Sequence, residues 1–555
     1  MGGFFSAAEP TFRFGHPFFL GPNVDETFWR TQIKDSFSIV TGRHTVKFGG
    51  EWMHSLNSQV FRGFFQGRYI FDSVAGFLHY ATPGAVGSGF GPNAGRCTNG
   101  SWTDLTLGAP PCAGATTPLL LFLQGAGPNG PATDAAGASE ISNEDYGLFV
   151  QDKWQLRPNF TLNLGLRWEA QIFPEPVVAP SATAYGHFLS DPRFPSDGTL
   201  HSPKKEFQPR VGFAWDIGGK GKSVLRGSYG IYYGRQNMLT QVGSITTNGV
   251  QQQTIAGGLF ANPFVRPTWP GLVTPAASSC STHAGFTVPG PFTNPFPCFS
   301  GVRVFSKDYA NPRIYTTNVG FEQELATNLS IYFDFTYAKG VHMTRFLDYA
   351  RLLGADGAPV FGDYLGEIMV ASAVGKTSYR GFTAGIRKRF SQRFGFEANY
   401  TFAKDEDDDS NERDPFTDRA FDFLNLQRDY ALSDRDIKHR FNAFANFDIP
   451  AGFELSTRAQ AHWAQPKSPG CATRCNPRNS ERKNNQYFSF DWRLQRPFHF
   501  GEKYALIPMI EMFNTFNNAN NIDPTVGSAL FNFDGFLRQG AGDPRQLQLA
   551  IKFTF

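Results

Sequence analysis

The last ten residues, Gln546 to Phe555, alternate apolar with polar or small side chains up to a terminal phenylalanine. A strand turns successive side chains to opposite faces, so Leu547, Leu549, Ile551, Phe553 and Phe555 share one face and Gln548, Lys552 and Thr554 the other. Segments with the same rhythm recur back to Thr27, which commits the chain to antiparallel sheet with one apolar and one wet surface. Lipid outside and water inside satisfy such a sheet if it closes into a transmembrane β-barrel.

Composition agrees. Apolar residues are 41% of 555, little for a soluble chain of this size, yet there are 58 Phe, 9 Trp and 18 Tyr. Mean hydropathy is negative at -0.31, as expected when only one face of each strand meets lipid. The longest apolar run, Pro118 to Leu123, is far short of the roughly 18 residues a membrane helix needs, so any crossing is made by strands. Residues Met1 to Ser6 lack the basic and apolar regions of an export signal, and the expectation is that residues upstream of Met1 are missing.

Reading for period two gives about fifteen strands joined alternately by tight turns and long connections. Thr27–Val40 and Thr45–Ser55 flank Thr41 to His44; Tyr146–Leu156 and Phe160–Glu169 flank Arg157 to Asn159; His439–Ile449 and Phe453–Trp463 flank Pro450 to Gly452. The long connections cover 56–145, 170–206, 235–312, 340–378, 405–438, 464–486 and 517–544. Short periplasmic turns and long extracellular loops are the habit of outer-membrane barrels, and this parity makes 1–26 an extracellular loop remnant preceding a barrel domain at 27–555. In Phe160–Glu169 every even position is apolar, and in Leu329–Tyr337 every odd one. Counting faces from these strands puts Arg30, Lys34, Arg167, Asp334, Glu397, Arg458 and Asp491 on the hydrated interior, where mixed signs argue against a simple ion filter.

Net charge is +3 with both signs dispersed, which offers nucleic acid no basic stripe. The six cysteines fall as near neighbours, Cys97 with Cys112, Cys280 with Cys298 and Cys471 with Cys475, and local disulfides in an oxidising compartment are expected. Asp405, Asp407 and Asp409 in the run Lys404 to Glu412 could gather oxygens round Ca²⁺, but the run lacks the glycine of the twelve-residue calcium loop, and a solvated external loop is the expectation. Asp216 to Ser223 ends like a phosphate-binding loop, yet Asp216 stands where its first glycine belongs and a strand follows; a hairpin turn is expected. No Gly-x-Ser-x-Gly or His-Glu-x-x-His pattern occurs, so catalysis and a cofactor have no support in the residues.

Several segments resemble TonB-dependent outer-membrane receptors: Tyr146-Gly-Leu-Phe-Val-Gln-Asp-Lys-Trp154 with Asn159-Phe-Thr-Leu-Asn-Leu-Gly-Leu-Arg-Trp-Glu169, and Glu511-Met-Phe-Asn-Thr-Phe-Asn-Asn-Ala-Asn520 with the terminal Phe555. Thr45-Val-Lys-Phe-Gly-Gly-Glu51 and Phe207-Gln-Pro-Arg-Val-Gly-Phe-Ala-Trp215 resemble the type that carries an amino-terminal carboxypeptidase-regulatory-like domain. The resemblance implies the carboxy-terminal part of a plugged barrel of about 22 strands. It also implies the TonB energy-coupling complex as partner through a plug not visible here, the barrel-assembly machinery acting on the Phe555 strand, and an external siderophore, glycan or peptide as cargo. The chain is therefore expected to be a fragment or a mis-started reading frame. The competing readings are a surface adhesin anchored by its barrel and a passive pore.

Overall fold

The computed structural model describes residues 24–107, 112, 114–127, 130–131, 133–249, 251, 253–259, 265–273, 298–299, 301–361, 365, 367–410, 418–469, 474–520 and 544–555. One sheet of 18 strands dominates it. Fifteen are long: β1 Val24–Thr41, β2 His44–Phe61, β3 Ala138–Arg157, β4 Phe160–Ile172, β5 Glu206–Asp216, β6 Ser223–Tyr233, β7 Arg313–Ala326 and β8 Leu329–Asp348. There follow β9 Ile368–Ser391, β10 Phe394–Asp407, β11 His439–Ile449, β12 Phe453–His462, β13 Tyr487–Gln495, β14 Tyr504–Phe513 and β15 Gln546–Thr554. Each long strand pairs antiparallel with the next in sequence. Tight turns set that order. Gly42 closes the β1–β2 hairpin with φ +58°, a conformation a side chain would resist. The Asp216–Ser223 segment is a hairpin turn: Gly218, Gly219 and Gly221 have positive φ, and the Gly221 amide donates to Asp216 Oδ2 at 2.8 Å.

Face assignment follows the pleat. Trp29, Ile33, Phe37, Leu148, Val150, Leu164, Leu166, Val211, Val319, Phe335, Phe382, Leu549 and Ile551 are exposed on one surface, Leu549 by 72%. A chain in water would bury such a belt; a barrel wall turns it to lipid. Aromatic and polar groups meet at the two ends of this surface. His44 lies 2.7 Å from Asp152 and stacks on Trp154 beside the short turns, while Trp52 Nε1 donates to Glu144 at 2.7 Å toward the external end.

Among the described residues β1 pairs only with β2 and β15 only with β14, so the sheet has two free edges. Alternating antiparallel pairing makes β1 and β15 run in the same direction, so this odd strand count could close only through a parallel pair.

Two sequence expectations need correction. First, several strands outrun their predicted ends: β2 continues to Phe61, β8 to Asp348, and β9 begins at Ile368. Above the membrane both faces are wet or packed, so the apolar alternation that marks a strand disappears while the hydrogen-bond ladder goes on. Second, the long connections are not merely polar loops. Arg68–Phe71 and Leu119–Gly127 from the first, and Gln253–Gly257 and Cys298–Phe299 from the third, join in a separate sheet. The run Leu119 to Leu123 is its middle strand; burial on both faces explains a continuous apolar stretch. Helix α1, Val74–Ala81, is capped by Ser73 Oγ and brings Tyr80 onto Leu119, Phe122, Ile255, Val265 and Val273. Full burial of each large apolar side chain stabilises this cap by about 1.5–3 kcal/mol.

A second apolar cluster ties the walls together. Ile141 of β3 packs with Phe173, Leu200, Phe305, Tyr309, Phe346 of β8 and Met369 of β9, and with Ile245 of helix α2, Met238–Thr246.

Candidate ligand path on the inner wall

Cross-strand register carries one face from strand to strand. Lys34, Glu51, Gly147, Glu169 and Glu206 stand side by side on β1 to β5. Arg30 and Arg167 lie on the same face an even number of residues away. The same face continues through Asp334, opposite Thr383 and then Thr401, to Glu397, Phe444, Arg458 and Asp491. All seven predicted lining residues therefore share the surface opposite the exposed apolar belt.

The structure brings only some of them together. Arg167 donates through Nε to Glu169 Oε1 at 2.7 Å and through Nη2 to Glu51 Oε2 at 3.4 Å, while Gln32 donates to Glu51 Oε1 at 2.9 Å. Glu397 accepts from Arg387 Nε at 2.9 Å and from Tyr332 Oη at 2.9 Å. Asp491 accepts from Ser489 Oγ at 2.6 Å and from the Asn514 amide at 2.9 Å. Arg30 lies over the Phe28 ring at 5.4 Å, and exposed Arg458 faces Asp491 across β12 and β13.

Sequence reading missed the densest part of this wall, where Asp145, Glu51, Glu169 and Arg235 converge. Arg235 is 3.7 Å from Glu169, 3.8 Å from Asp145 and 4.0 Å from Glu51. Parity could have found Glu51 and Glu169, which lie on expected strands, whereas Asp145 was read as the last residue of the connection 56–145 and joins the face only because β3 starts at Ala138. Arg235 follows the end of β6 and carried no periodic signal.

The acidic run differs from expectation. Its described part, 404–410, is not a solvated loop: Asp405 and Asp407 end β10, Asp407 pairs with Arg478, and Asp408 and Asp409 lie 3.7 and 4.0 Å from Arg345. Arg345 is 1% exposed and also pairs with Asp429 at 2.9 Å. Among the described residues no three His, Cys, Asp or Glu side chains gather as a metal site. Burial pushes the Asp408 carboxyl up to about 6 against the pull of Arg345, so its charge is costly there. The run was read as solvated because sequence shows the acids and hides the arginines 60 or more residues away that neutralise them.

Of the cysteines, Cys97 and Cys112 form a disulfide within the cap, and Cys475 is disulfide-bonded. Cys280 and Cys471 lie outside the described residues, and only the backbone of Cys298 is described, paired with Ile255.

With this geometry in hand, comparison places the chain. Residues 5–465 match the family described as outer membrane beta barrel domain. Its fold is similar to that of the outer membrane transporter YddB from Escherichia coli, with TM-score 0.51, 11% identity, and 96% of this chain aligned to 54% of that one. The siderophore receptor PiuA from Acinetobacter baumannii aligns with TM-score 0.46 and 11% identity over 96% of this chain and 56% of its own. This chain thus spans about half the length of those structures. A search of curated proteins finds no match. The chain belongs to the outer membrane beta-barrel family, a protein of the bacterial outer membrane whose wall separates a lipid-facing apolar surface from a charged interior.

Proposed function

We propose that the chain is the barrel part of a TonB-dependent receptor that takes up a bulky ligand such as a siderophore, glycan or peptide. The observation that carries this reading is the packed external cluster joining β3 to β8 and β9, from Ile141 to Phe346 and Met369. An apolar cluster that ties β3 to β8 and β9, strands that are not its neighbours in the sheet, favours a receptor with a built external end over an open pore. The folded cap on Tyr80, Leu119 and Phe122 supplies a shaped external surface for capture. The inner wall, lined by paired charges of both signs, supplies a polar path. This reading calls for a plug and coupling segment from residues outside these 555, for TonB to pull on that segment, and for the barrel-assembly machinery to insert the sheet through the β15 strand that ends at Phe555. Chemistry on the ligand forms no part of it.

The test is accumulation of labelled cargo in cells carrying the complete gene, with and without a protonophore. Uptake that stops when the proton gradient collapses supports the reading. Steady conductance in planar bilayers with gradient-independent passage would instead mark a pore, and surface binding without any uptake an adhesin.

A further inference from the structure

Arg235 sits among three carboxylates at 3.7–4.0 Å and makes no hydrogen bond with any of them, whereas neighbouring Arg167 is fully engaged at 2.7 Å. Its backbone is held on both sides: the Gly234 amide donates to Pro312 O at 2.8 Å, and Gln236 exchanges hydrogen bonds with Gln171 at 3.0 and 3.2 Å. The side chain is 36% exposed, and all three of its carboxylate contacts are longer than a hydrogen bond. Behind it Asp145 is 4% exposed and its Oδ1 has no hydrogen-bond partner; Glu206 Oε1, in a side chain equally buried, has none either. A buried carboxylate oxygen without a donor costs several kcal/mol, so the wall is left short of N–H groups at this point.

Resting on the uptake reading above, we infer that Asp145, Glu51 and Glu169 form a receptacle for a guanidinium group of the cargo, and that Arg235 is a loosely held stand-in which the cargo displaces. A guanidinium suits the site because it is planar, permanently charged and brings paired donors that a carboxylate accepts side by side. An internal competitor lowers apparent affinity by the fraction of time it occupies the site, so removing it must tighten binding.

The experiment titrates agmatine, tetramethylammonium and urea into the full chain in detergent by calorimetry. The expected result is that Arg235→Ala binds agmatine about tenfold tighter than the unsubstituted protein and Arg235→Lys does not. In the Arg235→Ala background, Asp145→Asn is expected to abolish binding and Glu206→Gln to weaken it. Equal agmatine affinity with and without Arg235, binding that survives Asp145→Asn, or equal binding of tetramethylammonium or urea would each overturn the inference. Energy coupling plays no part in this assay: binding without gradient-driven uptake would sink the transport reading alone, and uptake without binding would sink the receptacle alone.

Discussion

Gly147 lies directly beneath the Arg167 guanidinium: a Cβ on residue 147 would stand 2.6 Å from Arg167 Nη2. The missing side chain on β3 lets Arg167 of β4 reach over a whole strand to Glu51 of β2. Gly147→Ala is expected to cost less than about 1 kcal/mol, because the crowded group is the tip of a flexible side chain. Gly147→Val should break the 3.4 Å contact to Glu51 outright. A structure of each variant, with melting in detergent, checks the pair; an undisturbed Arg167 in Gly147→Val would contradict it.

Arg345 holds the ends of β8 and β10 to the segment around Asp429. Arg345→Met leaves Asp408, Asp409 and Asp429 without their shared cation, and breaking one partner of a buried ionic cluster costs about 3–5 kcal/mol. That loss should appear as faster hydrogen exchange in 405–410 and 426–432, with the lipid-facing strands unaffected.

Asp408 makes the same knot sensitive to pH. Its folded pKa of about 6 lies above the ordinary 3.8, so the folded form holds its proton longer than the unfolded chain does. Its contribution to stability is therefore greatest at low pH and is lost as pH rises from about 4 to about 6. Exchange around 405–410, corrected for intrinsic rates, should be slower at pH 5 than at pH 7.5. Asp408→Asn should reduce this difference while leaving fold and assembly intact.

The Cys97–Cys112 disulfide closes a loop of 15 residues, worth about 3 kcal/mol in chain entropy. Because both ends lie within the cap, reduction is expected to loosen residues 89–117 to protease and to leave the heat-modifiable migration of the barrel unchanged. Coupled loss of both would show the cap and the wall to be one cooperative unit.

Wherever lipid imposes a period of two, sequence reading located the strands closely: β4, β11 and β15 begin within a residue of their expected starts, and short and long connections alternate as read. The external region was opaque for a physical reason. Leu119 to Leu123 is buried on both faces, and Tyr80, Ile255 and Val265 meet only after parts of two connections, with Tyr80 and Ile255 more than 100 residues apart, fold together. Neither has a local period. The same holds for Arg345 and Arg235, whose meaning rests on carboxylates brought to them by other strands.

The most direct test of the lipid-facing assignment is spin-label accessibility along Phe160–Trp168 in reconstituted bilayers. Labels at 162, 164 and 166 should collide with dissolved oxygen, and labels at 161, 163 and 165 with an aqueous nickel complex, in strict alternation. Uniform access to the aqueous reagent, or burial of both sets from both reagents, would contradict a wall with acyl chains on one side and water on the other.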